Sequence, residues 1–206
     1  MTTYIETMDE LRALLGYPAE RSVAKQRDFI DGHAVAFLAR SPFCLLATAA
    51  ADGSCDVAPR GDDPGFAVVL DERTLALPER PGNRRLDSLA NIVTNPRVGL
   101  LFLIPGTTHT LRINGSARIV AEAGYFDAMA VYGRRPVLAV EVSVEEMYFH
   151  CAKAFVRSRL WRSAAWPDPA QVEGLGSILR DQVGMTAEDA AAVDARGADA
   201  ARPSMF

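Results

Sequence analysis

Apolar residues recur on two different periods along this chain, and the change of period marks its organisation. Residues 1–20 read as a short helix and a loop around Gly16-Tyr17-Pro18. Over 21–40, Val23, Phe29, Ile30, His33, Phe37 and Leu38 fall near one face of a predicted helix, which Ser41-Pro42 ends. The spacing then shortens to that of strands. Residues 43–48 form an apolar run of strand length, Ala51-Asp52-Gly53 is a hairpin turn signal, and 55–60 is the returning strand. A loop at 61–65 leads to a second hairpin, 66–70 with 74–77.

A helix is expected to start near Asn83, with Leu86, Leu89, Ile92 and Val93 at helical spacing, and to end at Asn95-Pro96. Residues 98–104 are nearly all apolar and predict a strand buried on both faces. A long strand follows over 110–119, bent by a bulge at Asn114-Gly115. Then come a short helix at 124–132, strands at 136–142 and 146–150, and a cation-bearing helix at 152–161. An Ala-rich acidic tail closes the chain after Pro167. Eight or so close-spaced strands, with one helix after the fourth, predict a mostly-β small barrel with flanking helices. The expected divisions are a helical segment at 1–40, the barrel at 41–165 and a helical tail at 166–206. The strands and helices do not alternate as βαβ units, and no GxGxxG or P-loop motif occurs.

Composition narrows the function classes. A net charge of −4 argues against a general nucleic-acid binder. Cys44, Cys55 and Cys151 give neither a disulfide framework nor CxxC, which fits a reducing cytoplasm. No apolar run reaches the ~18 residues of a membrane span, and the N-terminal residues lack the pattern of a signal peptide.

The most informative stretch is 77–89. Asn83 is a good N-cap, which would put Arg84 and Arg85 in the first helical turn. That end already carries about half a positive charge, so two arginines there call for a negative partner. A phosphate would serve, held by free backbone N–H groups, the Ser88 hydroxyl and the guanidiniums. The plainer reading leaves both arginines solvated, held off the helix by Glu79 and Asp87. Other chemistry is sparse. There is no GxSxG, no HExxH and no metal-spaced pair among His33, His109 and His150. His150-Cys151 would point to opposite faces of a strand, and the acidic pairs Asp62-Asp63 and Glu145-Glu146 read as solvated loop residues. His33 reads as a half-buried packing residue. What remains is a set of cations at strand ends and turns: Arg60, Arg80, Arg84, Arg85, Arg112, Lys153 and Arg157. They suit an anionic ligand whose planar part lies against Pro78 and backbone.

The succession Ser41-Pro42-Phe43, Asp56-Val57-Ala58-Pro59-Arg60-Gly61-Asp62, Arg80-Pro81-Gly82-Asn83-Arg84-Arg85-Leu86-Asp87-Ser88-Leu89, Asn95-Pro96-Arg97-Val98-Gly99, Leu111-Arg112-Ile113-Asn114-Gly115 and Phe149-His150-Cys151-Ala152-Lys153 resembles the pyridoxamine 5′-phosphate oxidase-like FMN-binding split-barrel family. The likeness is greatest to a bacterial subgroup of uncharacterised oxidoreductases. It covers roughly 21–165 and lies in the order of the motifs. It implies a six-stranded split barrel, a homodimer, and FMN at the subunit interface. The phosphate would be held by Arg60 and the segment 83–88, with Arg85 and Ser88 as the best matches and Asn83, Arg84 and Leu86 beside them. A lysine is common in the family where Ser88 stands, so Arg84 or Arg85 would supply that charge here. Gly61 and Asp62 would also belong to the cofactor site, and Pro78-Glu79-Arg80 would lie along the isoalloxazine. The second copy would close the site with Arg112, His150, Lys153 and Arg157. Residues 156–161 read Val-Arg-Ser-Arg-Leu-Trp, unlike the family segment that grips vitamin B6 phosphate, so that substrate is not implied. The expectation is an FMN-dependent oxidoreductase acting on a small-molecule redox substrate, with no metal, no nucleic acid and no membrane partner. Its alternatives are a flavin-binding or sensing module without turnover, and a split barrel holding haem or a deazaflavin. No catalytic residue is assigned.

Overall fold

The computed structural model describes residues 1–151 and 153–198. Seven strands form one antiparallel sheet in the order β2-β1-β5-β6-β7-β4-β3. They are β1 (Phe43–Ala49), β2 (Cys55–Gly61), β3 (Val68–Asp71), β4 (Thr74–Glu79), β5 (Arg97–Leu103), β6 (His109–Val120) and β7 (Leu138–Cys151). The helices are α1 (Met8–Leu15), α2 (Glu20–Ala24), α3 (Gly32–Leu38), α4 (Asp87–Thr94), α5 (Lys153–Ser158), α6 (Leu175–Val183) and α7 (Ala187–Ala198). The number of strands is therefore seven, not six. The stretches expected as two strands near 136–150 are one continuous β7, which runs antiparallel to the equally long β6.

The Asn114-Gly115 bulge makes that long pairing possible. The register shifts there, from Asn114↔Glu146 to Gly115↔Val144. A Cβ on Gly115 would lie 2.0 Å from the Ser143 carbonyl oxygen, so only glycine fits. Along β5 the burial alternates. Val98, Leu100 and Phe102 enter the core, while Gly99, Leu101 and Leu103 stay half-buried on the outer face. The expectation of burial on both faces does not hold, and among the described residues no helix packs extensively on β5.

The predicted helix over 21–40 is two helices. Between them the backbone of Arg27 leaves the helical path to exchange hydrogen bonds with Met147 on β7, at 2.9 and 2.7 Å. Asp31 then caps α3 by accepting from the Ala34 N–H at 2.9 Å. Ala34, Phe37 and Leu38 face the core, and His33 is exposed instead of packed. The segment Gly124–Met129 is a 3₁₀ helix. Phe126 and Met129, three apart, fall on one side of it and bury a small second core against Ala76 and Ala139. The main core fills the concave side of the sheet, and α4 covers it through Leu89 and Ile92. Helix α5 is shorter than expected, and Ala152, its expected first residue, lies outside the described residues. Helices α6 and α7 pack closely at Gly176, where a Cβ would lie 2.0 Å from the Ala190 oxygen. Among the described residues no helix is long and apolar enough to cross a membrane.

Candidate functional site

The alternation of β2 decides what faces the site. Asp56, Ala58 and Arg60 pair with Thr48, Leu46 and Cys44 of β1, all of them inward positions, while Val57 and Pro59 face outward. The end of β4 brings Pro78 and Glu79 opposite, and the loop after it leads to the start of α4. These elements wall a cavity of about 710 Å³, which Phe66, Val137 and Leu138 complete.

Strands β2 and β4 are not neighbours in the sheet, yet two ion pairs join them. Arg60 Nε lies 3.4 Å from Glu79 Oε2, and Arg80 Nε lies 2.7 Å from Asp62 Oδ2. The sheet therefore curls until its β2 edge faces β4, and the gap is spanned by side chains where a closed barrel would have backbone hydrogen bonds. Arg80 is held at its other end too, donating to the Met129 carbonyl at 2.7 Å. Asp62 is not the solvated loop residue the sequence suggests. Its side chain is 3% exposed. Gly61 approaches Pro42 so closely that a Cβ would meet the Pro42 oxygen at 2.8 Å, and the Asp62 N–H donates to the same carbonyl. That contact turns the carboxylate inward. Its Oδ1 has no hydrogen-bond partner among the described residues. Glu145 and Glu146 are strand residues of β7 instead, the first paired with Arg97 and the second accepting from Asn114.

At the helix start three expectations change. Helix α4 begins at Asp87, so Arg84 and Arg85 precede its first turn. Asn83 does not cap it: its side chain closes a tight turn by accepting from the Arg85 N–H at 3.0 Å. The position before the helix is Leu86, which has a left-handed backbone (φ 62) and gives no side-chain cap. Arg84 is left-handed as well (φ 61). Left-handed non-glycine residues are uncommon and each costs about 1–2 kcal/mol. Two of them flanking Arg85 leave the first N–H groups of α4 uncapped, beside the cavity. Finally, Ser88 is buried, and its hydroxyl donates to Asp56 Oδ2 at 2.6 Å. In this arrangement the Ser88 proton goes to Asp56, although Ser88 lines the cavity.

The formal charges of the wall cancel, Arg60, Arg80, Arg84 and Arg85 standing against Asp56, Asp62, Glu79 and Asp87, and Asp56 is held by the Ser88 hydroxyl with no ion-pair partner among the described residues. Arg60 pairs with Glu79, Arg80 with Asp62 and Arg85 with Asp87, the last at 2.7 Å on the surface. Arg84 has no ion-pair partner among the described residues. It is the cation at the cavity mouth whose charge is unspent, next to an uncapped helix start.

Of the sequence-predicted site residues, Arg60, Gly61, Asp62, Pro78, Glu79, Arg80, Asn83, Arg84, Arg85, Leu86 and Ser88 all line this cavity. Arg112, His150, Lys153 and Arg157 do not. Arg112 projects from the outer face of β6, donating to the Tyr148 hydroxyl at 3.1 Å and lying 5.7 Å from its ring centre. His150 is at the end of β7, its Nδ1 3.1 Å from the Cys151 oxygen, and Lys153 and Arg157 are on α5. Sequence reasoning missed Asp56, Phe66, Val137 and Leu138 as wall residues. Asp56 could have been found, because it shares the alternation of Arg60. Leu138 could not, since its place opposite Glu79 depends on a strand pairing across some sixty residues of chain.

Several solved structures are similar to parts of this chain. A single-residue variant of HupZ from Group A Streptococcus superposes with a TM-score of 0.47 at 18% identity, over 59% of this chain and 99% of that one. A candidate pyridoxamine 5′-phosphate oxidase from Lactobacillus delbrueckii gives a TM-score of 0.45 at 22% identity, over 59% of this chain and 95% of the other. A conserved hypothetical protein of Mycobacterium tuberculosis gives 0.44 at 19% identity, over 73% and 98%. No curated protein matches the sequence. The sequence profile described as pyridoxamine 5′-phosphate oxidase matches residues 30–151, the span that holds all seven strands and every wall of the cavity, and on that match the chain belongs to the pyridoxamine 5′-phosphate oxidase family.

Proposed function

We propose that this chain is an FMN-binding flavoprotein and an oxidoreductase. The observation that carries the reading is the cavity between β2, β4 and α4, with an unpaired Arg84 and an uncapped helix start at one end and an apolar wall at the other. Backbone N–H groups at a helix start and a guanidinium favour a phosphate monoester. Phe66, Pro78 and Leu138, with exposed Val137 at the rim, offer a planar ring an apolar wall. Membership of the family supports a flavin as the molecule that has both parts.

In this reading Arg84 and the first N–H groups of α4 hold the phosphate, with Arg60 and Arg85 adding field. The flavin, when bound, supplies the redox chemistry, accepting and returning a hydride. The protein orients the ring against Pro78-Glu79-Arg80, and the two ion pairs fix that wall at a set width. Arg112, His150, Lys153 and Arg157 lie away from the cavity of their own chain, which suits their reaching the site of a second copy in a homodimer. The half-buried outer face of β1 and β5, with Leu45, Leu101 and Leu103, would be the apolar part of that interface. A cation from the second copy near the ring edge would favour the reduced, anionic form of the cofactor.

Anaerobic mixing of the FMN-loaded protein with NADH or NADPH tests the enzymatic part. Bleaching of the flavin absorbance, then its return on adding an acceptor, is the expected result. A flavin that binds tightly but is bleached by neither donor would leave binding without this activity.

A further inference from the structure

Of the carboxylates in the cavity wall, Asp56 alone has no arginine within ion-pair distance among the described residues. Asp62, Glu79 and Asp87 each have one, at 2.7, 3.4 and 2.7 Å. What holds Asp56 is Ser88, the second residue of α4, whose buried hydroxyl donates to Oδ2 at 2.6 Å. The other oxygen, Oδ1, accepts from no group among the described residues and is not sealed off by them. Asp56 lines the cavity, so this oxygen is open to a ligand there.

An open carboxylate oxygen is out of place beside a phosphate. The uncapped start of α4 and Arg84 suit an anion, and Asp56 repels one. A carboxylate can only accept, so Asp56 needs a donor on the ligand. A cationic donor would be opposed by Arg84 and by the positive end of the helix. That leaves an uncharged donor, a hydroxyl. The alternation of β2 gives it a place. Asp56, Ala58 and Arg60 face inward at steps of roughly 6.6 Å. Arg60 meets Glu79 at the apolar end, Asp56 meets α4 at the other, and Ala58 between them presents only a methyl group. A ligand with its ring on Pro78 and its phosphate at α4 must run its connecting chain over Ala58 and past Asp56.

We propose that Asp56 is a specificity-determining residue: its Oδ1 accepts from a hydroxyl on the chain that joins ring to phosphate, so that the cavity selects a polyol phosphate over a phosphate on a plain alkyl chain. Ser88 is a positioning residue, which holds Oδ2 and leaves Oδ1 to the ligand. The proposal rests on the FMN reading, in which that chain is the ribityl group.

The test is titration of the full chain, by fluorescence quenching, with FMN and with a flavin whose N10 carries an unhydroxylated 5-phosphopentyl chain. Wild type should bind FMN at least about tenfold more tightly than the phosphopentyl flavin. Asp56→Ala should bring the two within about twofold. It should also bind the phosphopentyl flavin no less tightly than wild type does, since a negative charge has left the phosphate end. Ser88→Ala should reduce the preference for FMN without weakening the phosphopentyl flavin. Equal affinities in wild type, an Asp56→Ala variant that keeps the preference, or one that weakens both flavins alike, as a merely structural role would, overturns the proposal and leaves the FMN reading standing. A wild type that binds neither flavin overturns both. Should Asp56→Ala fail to fold, Asp56→Asn keeps the shape without the charge and should cut the preference about fivefold; an unchanged preference overturns the proposal.

Discussion

Arg84 and Arg85 are neighbours of equal charge in unequal positions. Arg85 is neutralised by Asp87 at the surface, and Arg84 has no ion pair among the described residues. Arg84→Ala is therefore expected to weaken FMN binding by about 1.5–3 kcal/mol, the range for a hydrogen bond to a charged group. Arg85→Ala should cost less than about 1 kcal/mol, in keeping with an exposed pair. Titration of each variant by flavin fluorescence quenching separates them, and equal losses would mean that the phosphate is held by both. The sequence exposed this pair of arginines but not their difference, which depends on a turn closed by Asn83. Cys44 makes a second residue-scale case. Burial pushes its thiol up to about 12, against which nearby Arg60 works only weakly. The thiol thus stays protonated, and unreactive, from neutral pH well into the alkaline range. At pH ~8 a thiol reagent should label exposed Cys55 promptly and Cys44 only on unfolding. Labelling of Cys44 at the rate of Cys55 in the folded protein would contradict the packing of β1.

At the scale of elements, the ion pair between Asp62 and Arg80 joins strands that the sheet itself does not join. Removing one partner strands a buried charge. Arg80→Ala should destabilise the fold by about 3–5 kcal/mol in urea denaturation, and adding Asp62→Ala should restore part of the loss. If the double variant is as unstable as the sum of the single ones, the pair has no coupling and does not fasten the gap. Gly115→Ala tests the bulge in the same assay. It should cost about 2–4 kcal/mol from forced displacement of β7, whereas Gly124→Ala, where a Cβ meets nothing within 4 Å, should stay within about 0.5 kcal/mol. The bulge was legible because Asn114-Gly115 breaks an otherwise regular alternation. The division of the helix over 21–40 was not. Nothing local to Arg27 announces that its backbone pairs with Met147 on the far side of the chain. The solvated reading of Asp62 failed for a like reason: its partner is eighteen residues away, just past the end of β4.

At the scale of the molecule, the order of motifs identified the family, and the seven-stranded sheet with its cavity gives that order a physical sense. The arginine of β2, the end of β4 and the start of α4 are distant in sequence and meet at the open seam. Arg112, Lys153, Arg157 and His150 stay outside the cavity, and the proposed role for them is in a second copy. Sedimentation at low micromolar protein should show a dimer, with roughly 2,000 Å² or more buried in an obligate interface. Leu101→Asp on the outer face of β5 should yield monomers that bind FMN weakly. A monomeric wild type with tight FMN binding would show that one chain holds the cofactor unaided. The cofactor itself is tested most directly by mass spectrometry of what the purified protein releases on denaturation, or binds when FMN is supplied to it. FMN is expected, near one per chain, because one uncapped helix start with Arg84 beside it lines the cavity and the sequence has no GxGxxG motif. FAD as the dominant species, or a protein that neither carries flavin nor takes up added FMN, would contradict it.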